Sequence, residues 1–557
     1  MRIFNDIRFD NLRGDLFGGV TTAIVSLPLA LTFGVASGAG AAAGLYGAVI
    51  VGLFAALFGG TATLISEPTG PMTVVMTAIV TTMVATNPDN GLAMAFTIVM
   101  IAGVVQILLG LLRLGRYITL MPYSVISGFM SGIGVILIIL QIAPFLGQPS
   151  PPGGVLGTLR NVPLLIQNIN IIEVGLGTLT LAILFLMPRR LRRYAPPQLV
   201  ALVIGTLVSL TLFADVDLRR IGAIPTGLPS LVLPTVGPTQ ITVMILDGIV
   251  LGILGCIDTL LTAVISDSLT RAEHDSNKEL IGQGIGNLMS GLFGGLPGAG
   301  ATMGTVVNIQ TGATSALAGI TRALILLVVV LGAAQLTQPI PLAVLAGIAL
   351  FVGFNILDWS FLKRVHRVSW QPTLIMYGVM LLTVFVDLIV AVGVGVFIAN
   401  ILTIERLSEL QAQNVKAISD ADDDVPLSDE ERRLLDRADG RVLLFYLSGP
   451  MIFGVAKAIA REHNALRSYD VVVIDLRDVP LLDVTVSLAI ENAIKDTVSS
   501  KRPVFVVCTP TQTKQLVEGL GILDILPREY ILEDRTEALR LALAALPERK
   551  PELVAEL

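Results

Sequence analysis

From its start to about residue 404 the chain alternates between long apolar runs and short polar interruptions, a pattern that predicts fourteen membrane spans. They lie near residues 16–36, 43–60, 70–85, 91–112, 122–143, 171–188, 198–214, 242–266, 281–295, 302–316, 319–336, 340–356, 373–386 and 388–404. A helix needs about 20 apolar residues to cross the hydrocarbon core, and the third and tenth segments are short for that. The third opens with Ser66-Glu67-Pro68-Thr69-Gly70-Pro71-Met72-Thr73, and the tenth with Leu296-Pro297-Gly298-Ala299-Gly300-Ala301-Thr302-Met303-Gly304-Thr305. Each places Pro, Gly and Thr directly before an apolar run. The two segments are seven spans apart, and an odd offset gives the two halves opposite topology. The pattern therefore predicts two inverted repeats of seven spans, with broken helices three and ten meeting near the bilayer midplane.

After Glu405 the pattern changes. Residues 405–440 are strongly charged and read as a helical linker. From Arg441 strand-like runs such as 441–447, 471–475 and 503–508 alternate with helical stretches, which predicts one small α/β domain over 441–557. It carries neither a phosphate-binding glycine loop nor a catalytic-triad pattern, so a regulatory or dimerising module is expected rather than an enzyme.

Composition agrees with a membrane protein. The 557 residues are 53% hydrophobic and 14% charged, where soluble chains carry about 25% charged residues. The 54 glycines let transmembrane helices approach closely. A net charge of -6 without a basic stripe argues against nucleic acid as a partner. Cys256 and Cys508 form no disulfide framework, and the scattered His274, His366 and His463 predict no metal centre. The N-terminal segment lacks the pattern of a cleaved signal, so the first span is expected to be retained. Loop charge then gives orientation. Arg113, Arg116, Arg189, Arg190, Arg192, Arg193, Arg271, Lys278, Lys363, Arg364 and Arg367 all follow even-numbered spans. Arg160, Arg219 and Arg220 lie on the other side. The positive-inside rule puts both termini and the soluble domain in the cytoplasm of an inner-membrane protein. Trp359 and Trp370 flank a basic loop and read as interfacial anchors.

The broken helices define the candidate chemistry. A helix N-terminus leaves free N–H groups and carries about +0.5 of a charge. Two facing termini can hold a monoanion without a buried Arg or Lys, and the hydroxyls of Thr69 and Thr302 add polar contacts. Asp258 lies in GIVLGILGCIDTLLTAVIS, the middle of span eight. An acid at that depth marks a pathway or coupling site, and Thr262 shares its helix face one turn on. With the carbonyls of Gly300 and Ala301 they make a hard-oxygen set suited to Na⁺. Proton coupling, or a cap on a neighbouring helix, are the competing readings of Asp258. Glu67 is a pathway candidate with no assigned role, and none is assigned to Asp247, Asp267, Asp387 or Glu173.

The fourteen-span layout resembles the sulfate permease (SulP) family, and PYSVISGFMSGIGVILIILQIAPFLG at 122–147 is similar to that family's span-five signature. The C-terminal module resembles a STAS domain. The segments LISEPTGPMTVV, GCIDTLLTAVISDSLTRAEHDSNKELIGQGIGN and GGLPGAGATMGTVVNIQ are similar to the cyanobacterial sodium-dependent bicarbonate transporters of that family. The resemblance implies a sodium site at Asp258, Thr262, Gly300, Ala301 and Thr302, and a bicarbonate site at Thr69, Ala301 and Thr302. It also implies a homodimer formed through the STAS domain. Two departures matter. Many family members have Arg directly before the Thr of span ten, where this chain has Gly304 before Thr305, so a bound Na⁺ would supply the missing charge. STAS domains often carry Asp-x-Ser/Thr-Gly, where this chain has Asp483-Val484-Thr485-Val486. Thr485 is either a phosphorylation target or a helix cap. The expectation is a sodium-dependent bicarbonate symporter working by alternating access, with Na⁺ as coupling ion and no resident cofactor. Its rivals are a proton-coupled sulfate or dicarboxylate permease and an anion channel or sensor.

Overall fold

A computed structural model of the chain describes residues 3–115, 122–192, 196–222, 229–237, 239–332, 337–367, 370–386, 388–420, 425–462, 469–509 and 512–547. Arg116, Arg193, Asp387 and His463 lie outside the described residues. The chain divides into two compact units, Met1–Phe397 and Ile398–Leu557.

In the membrane unit a helix occupies each of the predicted segments. In order they are Leu12–Ala36, Ala41–Phe58, Gly70–Thr86, Gly91–Leu111, Tyr123–Leu140, Ile171–Leu186, Pro197–Thr211, Ile241–Thr270, Ser276–Leu292, Thr302–Gln310, Leu317–Gly332, Leu342–Ile356, Trp370–Phe385 and Leu388–Ala412. Among the described residues, six helices are long and apolar enough to cross a membrane on their own, including spans one, two, four and eight. Several of the helices start at proline, long or short: Pro122 and Pro341 are N-caps, and Pro197 opens its helix. A ring with fixed φ and no N–H suits that position. Span ten is shorter than expected. It stops after nine residues, and Gly312 just beyond has φ +98°, a left-handed turn that ends a helix. One amphipathic helix, Gly154–Gln167, lies where the sequence pattern left a loop, and it meets Ile171–Leu186 at a 116° bend.

Small residues set the helix spacing. A Cβ at Gly284 of span nine would stand 2.6 Å from the Gly103 carbonyl of span four, so the two backbones touch. Long apolar side chains such as Leu108, Leu111, Val328 and Phe397 are exposed instead, as a lipid-facing surface requires. The two breaks pair with each other. Strand β1 (Ser66–Glu67) runs antiparallel to β2 (Ala299–Gly300), with Ser66 opposite Gly300 and Glu67 opposite Ala299.

In the C-terminal unit strands β3 (Val415–Ile418), β4 (Val442–Ser448), β5 (Val471–Asp478), β6 (Val504–Val507) and β7 (Ile531–Leu532) form one sheet in that order. Only the β3–β4 pair is antiparallel. Helices α1 (Asp429–Arg437), α2 (Ala456–Glu462), α3 (Val484–Ser499), α4 (Gln512–Gly519) and α5 (Arg535–Ala544) complete it. Both sheet faces are buried: Leu443, Phe445 and Leu447 pack into one apolar cluster, and Val442, Leu444 and Tyr446 into the other. The expected linker at 405–440 is corrected. Its residues 415–418 supply an edge strand, and 429–437 supply a helix whose Leu434 and Leu435 belong to the core.

Candidate ion and anion site

Broken backbone at membrane depth must find protein partners, because lipid supplies none. The partners are polar side chains and the opposite break. The Ala301 N–H donates to the Ile65 carbonyl at 2.7 Å, and the Ile65 N–H donates to Thr305 Oγ1 at 3.0 Å. Span nine contributes two residues one turn apart. Gln283 and Asn287 both donate to the Gly298 carbonyl at 2.9 Å, and Asn287 accepts from the Gly298 N–H at 2.7 Å. The breaks are therefore held open as fixed structure, and each half-helix begins directly after one.

Span eight joins the two half-helices. Thr69, the N-cap of span three, donates its hydroxyl to Asp258 Oδ2 at 2.7 Å. One turn further along span eight, Thr262 donates to the Gly300 carbonyl at 2.8 Å and shares a 2.9 Å hydrogen bond with Thr302 Oγ1, at the first residue of span ten. Thr259 Oγ1 accepts from the Gly300 N–H at 3.1 Å. Gly300 eases this approach, since a Cβ there would lie 3.0 Å from Thr262 Cβ and 3.1 Å from Thr259 Cα and would push span eight and the second break apart by a few tenths of an ångström. All six membrane residues singled out in the sequence, Thr69, Asp258, Thr262, Gly300, Ala301 and Thr302, thus meet in one cluster.

The cluster has two chemical characters. On one side stand the Asp258 carboxylate, the hydroxyls of Thr262 and Thr302, and the Gly300 carbonyl, all hard oxygen ligands of the kind that bind a small cation at a broken helix. On the other side are two helix starts whose N-caps, Thr69 and Ala301, make no side-chain cap bond. Ala301 itself offers an anion less than expected, because its N–H is engaged by Ile65; the first-turn amides after it carry the positive end of span ten. Asp258, Thr262 and Thr69 are buried, while Thr302 and Met303 are exposed, so the cluster opens at the start of span ten. Asp258 receives a hydroxyl rather than helix amides, which removes the reading of it as a helix cap.

Sequence reasoning missed Arg322. It lies in span eleven, is fully buried, and pairs with Glu67. Its other donors reach Ser26 Oγ at 2.9 Å, the Ser66 carbonyl at 3.1 Å and the Ala48 carbonyl at 3.3 Å. A buried arginine thus stands behind β1, with Glu67 compensating its charge and its other donors taken by Ser26 and the carbonyls of Ser66 and Ala48. A lone cation in an apolar run is the same signal that marked Asp258. Gly304 faces this pair, since a Cβ there would lie 3.4 Å from Glu67 Oε1.

Thr485 belongs to the C-terminal unit. It is exposed in the first turn of α3, whose N-cap is Asp483; the Asp483 carboxylate accepts from the Val486 N–H at 2.8 Å. The reading of Thr485 as the cap is therefore corrected.

Comparison with known proteins extends this picture. Residues 12–379 match the model of the sulfate permease family, and residues 435–537 match the STAS domain. The chain is 63% identical to the bicarbonate transporter BicA of Synechocystis sp., over 98% of this chain and 97% of that protein. It is 61% identical to BicA of Picosynechococcus sp. over the same shares. Among solved structures, the transmembrane domain of a cyanobacterium bicarbonate transporter BicA matches with a TM-score of 0.68 at 66% identity, covering 70% of this chain and all of that one. The structure of SLC26A9 matches with a TM-score of 0.79 at 18% identity, covering 96% of this chain and 90% of that one, and so shares the fold.

Proposed function

The chain belongs to the sulfate permease family, and on that premise we propose that it is a sodium-coupled bicarbonate symporter working by alternating access in the inner membrane. The substrate follows from relatives named as bicarbonate transporters that match at 61–63% identity over nearly the whole chain. The observation that supports sodium coupling is the way span eight ties both half-helices together, through Asp258 to Thr69 and through Thr262 to Gly300 and Thr302.

In this reading Na⁺ binds among Asp258, Thr262, Thr302 and the carbonyls of Gly300 and Ala301. Bicarbonate binds beside it, at Thr69, Thr302 and the first-turn amides that follow Ala301. Each helix terminus supplies about half a positive charge, and the cation supplies the remainder that Gly304 leaves out. Each solute therefore favours the other, and the coupling is reciprocal. If one Na⁺ travels with one bicarbonate, no net charge crosses. The voltage contribution of about 2.3 kcal/mol per charge per 100 mV then vanishes, leaving the sodium gradient as the driving force. Loop charge supports cytoplasmic termini, and the STAS domain is the proposed dimer contact.

The test is uptake of labelled bicarbonate by cells expressing the chain, with sodium or with choline in its place. Removing one charged member of a desolvated contact costs about 2–5 kcal/mol. Asp258→Asn is therefore expected to cut sodium-driven uptake about 100-fold with the protein still in the membrane. Undiminished uptake in that variant would sink the sodium site. Sodium-independent uptake in the unaltered protein would leave bicarbonate transport with another driving force.

A further inference from the structure

A second polar feature begins at the site and leads away from its open edge. Along span eight Asp258, Thr262, Ser266 and Thr270 follow each other at four-residue spacing, so they form one stripe. The stripe runs into a cavity of about 780 Å³ between the N-terminal segment, the start of the first break and the ends of spans eight and ten. Thr63, Ser266 and Thr270 line it. Ser266 is one helical turn, about 6 Å, beyond Thr262. What separates the cavity from the site is narrow: Thr63 Oγ1 and Ser266 Oγ share a 2.8 Å hydrogen bond, and Leu64 lies within 3.3 Å of the point where a Gly300 side chain would start.

The charge of the cavity selects its traffic. Its walls carry Asp6, Asp267, Glu273 and Asp275 against Arg8 and Lys278, two more acids than bases, with His274 held against Asp267 at 2.6 Å. An acidic cavity concentrates cations and repels anions. Thr302 and Met303, by contrast, are exposed and are not among the residues that line this cavity.

We propose that the coupling cation reaches this face of the membrane unit by a door of its own, past the Thr63–Ser266 neck and through the acidic cavity, while the anion uses the open edge at Thr302. The inference rests on the sodium reading above. The neck opens when the Thr63–Ser266 hydroxyl pair parts and Leu64 moves aside, and every turn of the route offers oxygen ligands that replace a cation's water. The cavity is lined by the loop that follows span eight, on the face that loop charge assigns to the cytoplasm.

The test uses the full-length chain with Ser266→Cys in membrane vesicles, and Thr63→Cys as a second handle on the opposite wall. Both native cysteines are buried, and the unaltered protein gives the background. Binding of ²²Na⁺ to the unmodified protein is measured first, and its absence would overturn the sodium reading itself. With binding present, aminoethyl methanethiosulfonate, a small cation, is compared with its anionic sulfonate analogue in inside-out and right-side-out vesicles. The cationic reagent is expected to react about tenfold faster, from one face, and more slowly when sodium is added. Modified protein should then release ²²Na⁺ to that face at least tenfold more slowly than the unaltered protein treated alike. Equal reaction with both reagents, or release of sodium at the unaltered rate after modification, would overturn the separate door while leaving the sodium site standing.

Discussion

The membrane unit and the C-terminal unit each bury an arginine, Arg322 at 0% exposure and Arg535 at 1%, and they use it differently. Arg535 joins elements far apart in sequence through acids. It donates to both oxygens of Glu431 at 2.9 and 3.0 Å, to Asp475 at 3.2 Å, and to the Pro426 carbonyl at 2.7 Å. Burial pushes the Glu431 carboxyl up, but Arg535 and Ser428 outweigh it and leave it below its ordinary value; burial wins at Asp475, which lies above its own. Arg322 meets one acid and gives its other donors to a hydroxyl, to the Ser66 carbonyl of the break and to the Ala48 carbonyl of span two. In water-free surroundings the harder task is to satisfy broken backbone, and a five-donor guanidinium suits it. Asp258 is the contrast within the same unit. Among the described residues no basic side chain pairs with it; its partner is the Thr69 hydroxyl. Glu67, held by a fixed cation, braces the break; Asp258, held only by a hydroxyl, is the acid for which the sodium role is proposed.

That contrast can be broken. Loss of Asp258 should remove transport and leave the fold, whereas loss of Arg322 should remove the fold. Arg322→Met strands Glu67 in the membrane, and an uncompensated buried charge costs about 3–5 kcal/mol. The variant is expected at strongly reduced levels in the membrane and with a lowered unfolding temperature. Adding Glu67→Gln should restore much of the level, since both charges are then gone. A single variant as stable as the unaltered protein would mean that the pair does not hold the break. Arg535→Met is the matching change in the other unit. It is expected to cost about 3 kcal/mol, read as faster proteolysis of residues beyond 398, while the dependence of uptake on sodium concentration stays unchanged. Thr262→Val is milder. It removes a hydroxyl that meets Gly300 and Thr302, a contact of about 1–1.5 kcal/mol. The sodium concentration for half-maximal uptake should rise about tenfold, with maximal uptake retained at saturating sodium.

These effects also mark what was legible in the chain. Helix positions were, because apolar runs bounded by proline and glycine state them directly. The matched breaks were legible from their shared Pro-Gly-Thr chemistry, and Asp258 from its depth in an apolar run. Arg322 carries the same depth signal, but its partner is 255 residues away, and no local pattern joins them. Gln283 and Asn287 show as a polar pair one turn apart; that they bond the Gly298 carbonyl depends on how span nine packs against the second break. Strand β3 is four residues long within a charged segment, too short for alternation to declare it, and it exists because β4 offers an edge.

The smallest expected effect sharpens the comparison at the start of α3, where the cap expected of Thr485 is supplied by Asp483. Asp483 accepts the Val486 N–H, so Asp483→Ala removes the cap and should cost about 1 kcal/mol, seen as a drop of a few degrees in the unfolding of the C-terminal unit. Thr485 is exposed in the first turn and bonds no helix end, so Thr485→Ala should change stability by less than about 0.5 kcal/mol. Thr485→Glu puts a negative charge where the helix dipole favours one and should stabilise by about 0.3–1 kcal/mol. The stability data isolate the cap; transport then tests regulation. If Thr485→Ala alters bicarbonate uptake in cells but not in vesicles of purified protein, the hydroxyl is a target of modification. If uptake is unchanged in both, Thr485 is an exposed first-turn residue and the start of α3 carries no switch.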